Sequence, residues 1–364
     1  MPLSNLQPEH YQSLLDIKVS AVKQLLAPFN APSPEVYASP STGYRARAEF
    51  RVWHSGDELD YVMFRPQDPR TPVAIREFPV AIASIQALMP VLMAALRANP
   101  TLRRKLFQVE FLSTLAGETL VTLIYHRKLD DLWQQAAQLL AATLGIALVG
   151  RSRKQKIILD RDYVTEKLPV HGQQFHYRQY EQAFSQPNAA VNIHMLEWAC
   201  QRAQTLHGDL LELYCGNGNF TIPLAQHFGR VLATELSKVG TRAALQNLQL
   251  NAVDNVAVIR LSAEEVSQAI AGSRVFRRLA GLSPTLAEHE LRSIFVDPPR
   301  AGLDPATLAM VSDFDNIMYV SCNPHTLTAN LSVLCQSHTI EHFAVFDQFP
   351  YTDHTECGLL LRRH

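Results

Sequence analysis

Apolar side chains recur along this chain with two different periods, and the change of period marks its elements. Leu15, Val19, Val22 and Leu26 fall at helical spacing and Pro28 closes the segment, which predicts a helix over 11–26. Between Tyr44 and His54 the period drops to two. Ala46, Ala48, Phe50 and Val52 alternate with Arg45, Arg47, Glu49 and Arg51, the signature of a half-buried strand with one charged face. Residues 60–65 supply a hairpin partner. An Ala/Leu/Met-rich run over 80–98 reads as a helix. Segments 106–112 and 118–126 read as strands around the turn STLAG, and 130–144 as another helix. Segment 148–159 carries RSRKQK between apolar ends. The polar stretch over 170–182, VHGQQFHYRQYEQ, reads as a boundary. Residues 1–180 are thus expected to form an α+β domain.

From residue 181 onward, strands and helices alternate. Strands at 209–215, 230–234, 255–260 and 317–321 lead into helical segments at 221–228, 237–251, 263–271 and 325–335, with a further strand at 291–296. Repeated βα units predict a parallel, Rossmann-like sheet wound on both faces over 181–364. Two closing strands, 341–347 and 358–362, have no helix between them and predict an antiparallel final hairpin.

Ligands of such sheets bind at the carboxyl ends of the strands, and the unusual residues gather there. The first group is ELYCGNGNF over 212–220, whose glycines let a ligand approach the backbone. Glu235 ends the next strand about 20 residues on, where a carboxylate can accept from both ribose hydroxyls of an adenosine cofactor. The second is Asp297-Pro298-Pro299-Arg300. Related DPP-aromatic loops serve methylation of the adenine amino group. Here Arg300 replaces the stacking ring and supplies a cation for a phosphate or carbonyl. The third is Ser321-Cys322-Asn323-Pro324, with Asn323 as a helix cap and Pro324 at the first helical position. A helix N-terminus lowers a thiol pKa, so Cys322 is expected as a thiolate. The fourth is FPYTDHTECG over 349–358, which places Glu356 in the loop between the last two strands as a base.

A nucleophile, a carboxylate and a cofactor site in one sheet define a chemistry. Methylating an amine needs no protein nucleophile. C5 of uracil does, because it is a poor carbon nucleophile until a thiolate adds at C6.

Charge and composition narrow the partners. Residues 1–180 hold 21 Lys and Arg against 16 Asp and Glu, a net +5. Residues 181–364 hold 12 against 18, a net −6. A basic half beside an acidic half suits a polyanion-binding module joined to something else. Arginines on a strand face, with Phe107 and His126 in the same strand set, suit nucleic acid. A solvated sheet face over a core phenylalanine gives the same pattern. At 47% hydrophobic and 18% charged residues, the chain is not a disordered one. No run approaches the ~18 apolar residues of a membrane span, and the N-terminus lacks the pattern of a secretory leader. Cysteines stand at 200, 215, 322, 335 and 357 with no C-x-x-C pair. That disfavours structural zinc and iron–sulfur ligation and implies a reducing, cytoplasmic setting.

Taken together, YCGNGNF, FVDPPR, YVSCNP and FPYTDHTECG, with FSQPN over 184–188, resemble the RNA 5-methyluridine methyltransferases. YRARAEFRVWH, KLFQVEFL and IYHRKLDD extend the likeness to the N-terminal half and bring it closest to the tRNA (uracil-5-)-methyltransferase branch. The resemblance implies a class I S-adenosylmethionine-dependent methyltransferase domain behind an RNA-binding domain. It implies methylation of the T-loop uridine at position 54 of tRNA, with the similar T-arm of tmRNA as a further substrate, by a monomer without metal or iron–sulfur cluster. By motif it makes Cys322 the nucleophile and Glu356 the base. Cofactor contacts become Gln186, Tyr214, Gly216, Asn219, Glu235 and Asp297. RNA contacts become Glu49, Arg51, Phe107, His126 and Arg300, with Phe107 and His126 replacing the stacking lost when the target uridine is flipped out. Ribosomal relatives carry an iron–sulfur cysteine cluster near the N-terminus, and this chain has no cysteine before Cys200. Three other readings stay open on the residues alone: methylation of rRNA uridine, methylation of an amino group, and a non-enzymatic RNA-folding factor.

Overall fold

The computed structural model of the chain describes residues 6–56, 58–65 and 67–364. Helix α1 (Tyr11–Leu26) has the predicted bounds and buries Leu15, Val22 and Leu26. Val22 and Leu26 share a core with Leu211, Ile317 and Leu359 of the C-terminal half. Strand β1 (Glu35–Tyr37) then pairs in parallel with residues 344–346. The expected division at 180/181 is therefore not how the chain packs. Most of α1 and all of β1 lie on the C-terminal body, while Tyr11 and Leu14 at the start of α1 pack against the N-terminal core.

The N-terminal sheet begins with β2 (Arg47–Ser55). Ala48, Phe50 and Val52 point inward, and Glu49 and Arg51 outward. β3 (Glu58–Arg65), β4 (Asp68–Ala74), helix α2 (Ala83–Ala98) and the single turn α3 (Pro100–Arg103) follow. Then come β5 (Leu106–Ser113), β6 (Thr119–Tyr125), α4 (Asp131–Leu144), β7 (Ala147–Ser152) and β8 (Gln155–Ile158). The strand order is β4-β3-β2-β5-β6-β7-β8, and only β6 and β7 pair in parallel. On the inner face, Leu92, Leu96 and Trp133 of the helices pack with Phe50, Phe111 and Tyr125. Burial of side chains this large contributes about 1.5–3 kcal/mol each. RSRKQK forms the β7–β8 hairpin, with Arg153 and Lys154 exposed.

The polar stretch over 170–182 is not a linker. It is the second strand of a hairpin, β9 (Tyr163–Val170) and β10 (Gln173–Tyr180), with Phe175 and Tyr177 buried on one face. The outer edge of β10 meets a helix rather than a strand, and two asparagine amides satisfy its backbone. Asn251 accepts from His176 N at 2.8 Å and donates to His176 O at 2.7 Å, while Asn247 accepts from Arg178 N at 2.8 Å. An edge strand buried without such partners would leave its peptide groups unpaired.

The C-terminal body alternates as predicted. α5 (Ala189–Ala203), a helix that the periodicity does not single out, is capped by Asn188, whose side chain accepts from Val191 N. There follow β11 (Asp209–Leu213), α6 (Thr221–Leu224), β12 (Val231–Thr234), α7 (Lys238–Leu250), β13 (Val256–Ile259), α8 (Ala263–Ile270) and β14 (Leu291–Val296). Then come α9 (Pro305–Val311), β15 (Asn316–Ser321), α10 (Pro324–Leu334), β16 (His338–Phe346) and β17 (Glu356–Arg363). The sheet order is β1-β16-β17-β15-β14-β11-β12-β13. β11 to β15 run parallel, so their carboxyl ends share one edge. β17 is antiparallel to both neighbours, so its first residue arrives at that same edge. Glu356 is that residue. It opens the strand, opposite Phe346, rather than lying in the preceding loop.

Candidate active site

The loop after β11 is built to expose backbone. Tyr214, Gly216 and Gly218 all take positive φ, of 62°, 56° and 84°. For tyrosine such a conformation costs on the order of 1–3 kcal/mol, and it persists because the neighbours hold the loop. Cys215 N donates to Thr234 O at 3.0 Å, and Asn217 O accepts from Asn247 Nδ2 at 3.0 Å. Glu235, at the end of β12, accepts from Gly216 N at 3.0 Å and Ser237 N at 2.6 Å, one on each carboxylate oxygen. Each oxygen keeps acceptor capacity for a hydroxyl. Gly240 lets α7 close under this carboxylate. A Cβ there would stand 2.9 Å from Glu235 Cγ and 3.1 Å from Gly216 O.

Gln186, Tyr214, Gly216, Asn219 and Asp297 line one cleft beside this loop, and Glu235 is tied to it through Gly216. All six expected cofactor residues are thus brought together. Two further lining residues have no role in the sequence reading, although Glu212 opens the first motif. Asn192 of α5 exchanges side-chain hydrogen bonds with Asn219, both at 2.9 Å. Glu212 is buried, and its Oε2 has no hydrogen-bond partner. Its only signal is an acid inside the apolar strand DLLELYC. Burial pushes the Glu212 carboxyl up to about 8 and raises Asp297 as well. Among the described residues, no lysine or arginine pairs with Glu212, Asp297 or Glu356. Buried carboxyls left without a countercharge suit a cationic ligand. S-adenosylmethionine, which carries a sulfonium and an ammonium charge, fits on that ground, and Glu235 would hold its ribose.

Cys322 follows β15 and is half-buried. Asn323 caps α10 by accepting from His325 N at 3.2 Å, with Pro324 at the first position, as the sequence predicts. Ser321 pairs with Cys357 in the β15–β17 ladder, which makes Cys322 and Glu356 neighbours at the next register position. The Asp-Pro-Pro-Arg loop closes the group. Arg300 O accepts from Asn323 Nδ2 at 3.0 Å, and the Arg300 guanidinium lies 3.3 Å from His354 Nδ1.

The expected thiolate is not what this setting favours. Burial, then the Glu356 and Asp297 carboxyls, push the Cys322 thiol up to about 11, and Arg300 pulls only weakly the other way. Desolvation and two acids outweigh the helix N-terminus. Glu356 itself is raised well above the usual carboxylate range, by burial and then by Asp297. Below such a pKa, the thiolate fraction climbs about tenfold per pH unit. Alkylation of Cys322 by iodoacetamide in the protein alone should therefore rise steadily from about pH 7 to pH 10. Peptide mass spectrometry checks this, and a plateau near neutrality contradicts it.

The charged face of the N-terminal sheet assembles three of its expected residues. The β5–β6 ladder slips between Leu106 and Gln108, so Phe107 is the extra residue of a β-bulge and is thrust outward. Arg51 lies 4.0 Å over the Phe107 ring, and His126 stacks on Phe107 at 3.9 Å and 27°. Phe107 is thus covered on both faces, leaving the outer face of His126 as the open platform. Glu49 stands on the same face of β2, across from Glu110. A groove of about 820 Å³ runs beside the stack, bordered by Lys128, Arg153 and Lys154. Arg300 is not part of this group and belongs with Cys322. Replacing Phe107 by alanine removes the layer between Arg51 and His126. It should weaken binding of a T-arm hairpin by about 1–3 kcal/mol without changing affinity for S-adenosylmethionine. Titration of both ligands checks it, and unchanged RNA affinity would refute the role.

Comparison with known proteins bears on this geometry. A profile of the tRNA (Uracil-5-)-methyltransferase family matches residues 10–364. The chain belongs to that family. Relatives from Azoarcus sp. (strain BH72) and Dechloromonas aromatica (strain RCB), both named tRNA/tmRNA (uracil-C(5))-methyltransferase, are 53% identical over 363 residues. The matches cover 100% of this chain and 99% and 100% of theirs. The fold is shared with the crystal structure of the Pyrococcus abyssi tRNA (uracil-54, C5)-methyltransferase in complex with S-adenosyl-L-homocysteine. Its TM-score is 0.73 at 20% identity, covering 96% of this chain and 83% of that one. The family's reaction, transfer of a methyl group from S-adenosylmethionine to C5 of a tRNA uridine, is the reaction of this enzyme. Among the described residues no cluster of histidine, cysteine and acid could hold a metal ion, and no helix is long and apolar enough to cross a membrane.

Proposed function

We propose that the enzyme methylates the T-loop uridine at position 54 of tRNA, and the corresponding uridine in the T-arm of tmRNA, with Cys322 as nucleophile and Glu356 as base. One observation carries this reading: the residue that follows β15 and the first residue of β17, one step beyond the Ser321–Cys357 pair, bring a thiol and a carboxyl to the ligand edge of the sheet.

The residues divide the work. Cys322, deprotonated, adds its sulfur to C6 of the flipped uracil and pushes electron density to C5. S-adenosylmethionine, when bound, supplies a methyl group on a positively charged sulfur. The C5 carbon made nucleophilic by Cys322 takes that methyl as the methyl–sulfur bond of the donor breaks and its electron pair stays on the sulfur, which becomes neutral. Glu356 then removes the C5 proton. The electrons of that C–H bond rebuild the C5–C6 double bond, and the C6–sulfur bond breaks to return the Cys322 thiolate. Gln186, Asn219 and Asp297 hold the donor in the cleft and Glu235 holds its ribose. Cys322, Asp297 and Glu356 all ionise more readily with a cation in the cleft, since a nearby positive charge lowers each pKa. Burial serves Glu356 too, because a carboxylate with a raised pKa is a stronger base.

Substrate choice is the test. T-arm hairpins of tRNA and tmRNA should both accept methyl groups at the T-loop uridine, and an rRNA fragment carrying a methylatable uridine should not. Transfer to the rRNA fragment at a comparable rate would move the enzyme to the ribosomal branch of the reaction.

A further inference from the structure

The connection between β16 and β17, residues 347–355, carries Glu356 at its end, and a side chain from the far end of the sequence staples it shut. Lys18 of α1 has three donors and the structure gives it three acceptors. Its Nζ donates to the Asp347 carboxylate at 2.8 Å, Phe349 O at 2.8 Å and His354 O at 3.2 Å. The first two lie where the chain leaves β16, and the third lies two residues before Glu356. Both partners are sequestered, with side-chain exposures of 12% for Lys18 and 2% for Asp347. Neighbouring contacts brace the same loop. Tyr351 donates its hydroxyl to Ser41 O at 2.7 Å, and Tyr11 lies edge-on to the Tyr351 ring. Beside Asp347, Gln348 donates to Gln186 of the cofactor cleft at 3.1 Å.

We propose that Lys18 is a positioning residue for the base: by closing the 347–355 loop, it aims the Glu356 carboxylate at the proton to be removed. The placement of α1 on the C-terminal body then has a catalytic purpose, since it delivers this ammonium group to the loop. The proposal rests on the assignment of Glu356 as the base. A buried, saturated ammonium holds its acceptors tightly, and its removal leaves the Asp347 carboxylate without its countercharge. The defect expected from this is specific. Addition of Cys322 and methyl transfer precede the work of Glu356, so a misaimed base stalls the reaction after the covalent bond to RNA has formed.

The test uses the full-length enzyme, S-adenosylmethionine and a T-arm hairpin containing ordinary uridine. Lys18→Met should accumulate a covalent protein–RNA complex carrying the methylated base and release product about 10- to 100-fold more slowly. Its affinity for S-adenosylmethionine should stay near that of the parent. Lys18→Arg, which keeps the charge and the donors, should recover most of the release rate. If Lys18→Met does not fold, Asp347→Asn carries the same expectation with the shape preserved. Slow turnover without the complex, or unchanged release, overturns the proposal. Glu356→Gln run alongside separates the two ideas. If it accumulates the complex and Lys18→Met does not, only the role of Lys18 falls. If neither does, the base assignment falls and the role of Lys18 with it.

Discussion

Cys322→Ala should lose methylation of the T-arm uridine by at least about 10⁴-fold. The size follows from the substrate. Without a sulfur on C6, C5 of uracil is part of an electron-poor ring, and no arrangement of the cofactor cleft makes it attack a methyl group. The cleft itself should survive. Its lining comes from β10, the 184–186 segment, α5, β11 with the loop after it, and Asp297 after β14, and the Cys322 thiol forms no part of it. Affinity for S-adenosylmethionine should therefore stay within about twofold of the parent, while no covalent RNA complex forms under any condition. Removing a half-buried thiol should cost little stability, about 1 kcal/mol or less. Single-turnover transfer of a labelled methyl group, with calorimetric titration of the cofactor, measures both arms. Near-normal turnover would place the chemistry on an amino group, which needs no nucleophile from the protein.

Glu356→Gln should separate the two halves of the reaction instead of abolishing both. The amide matches the carboxyl in shape and stays neutral, so it should cause no burial penalty. Because burial pushes the Glu356 carboxyl well above the usual carboxylate range, the neutral amide should leave the fold at least as stable as the parent. The linkage sign agrees: a carboxyl whose pKa is raised on folding costs stability as pH climbs from its unfolded value toward its folded one, and glutamine removes that loss. Catalysis is different. Glutamine cannot take the C5 proton, so product release should fall by about 10²–10⁴-fold, while the complex between Cys322 and ordinary uridine accumulates. A denaturing gel of labelled hairpin shows it directly. Product loss with no trapped complex would mean that Glu356 acts before methyl transfer, and would give the base to another group.

Much of this was legible in the residues, for reasons that can be named. The alternation from Ala46 to Val52 and the spacing of Leu15, Val22 and Leu26 fix which face of each element is apolar, and the structure keeps both. Periodicity does not say what covers that face, so the packing of α1 on the C-terminal body could not be read. In β10 the signal was present and overridden. Phe175 and Tyr177 alternate, but the polar residues between them made the stretch look like a boundary, since the docking asparagines lie some 70 residues away. The strand-end residues were legible because parallel sheets gather ligands there. Glu356 reached the right edge from a wrongly placed loop, since the direction of β17 depends on pairing and not on local pattern. The ionisation of Cys322 escapes the local sequence for a similar reason. Local sequence shows the helix cap, whereas the burial and the carboxyls of Asp297 and Glu356 come from other strands. Lys18, 338 positions before Glu356, leaves no local signal at all.

The central claim is a transient bond between Cys322 and C6 of the target uracil. A T-arm hairpin with 5-fluorouridine at the target position tests it most directly, because fluorine cannot leave as a proton does. With S-adenosylmethionine and the parent enzyme, a stable complex should accumulate after methyl transfer. Digestion and mass spectrometry should place the methylated, fluorinated nucleotide on the peptide containing Cys322. A complex mapped to another residue, or methyl transfer with no complex at all, would contradict the account.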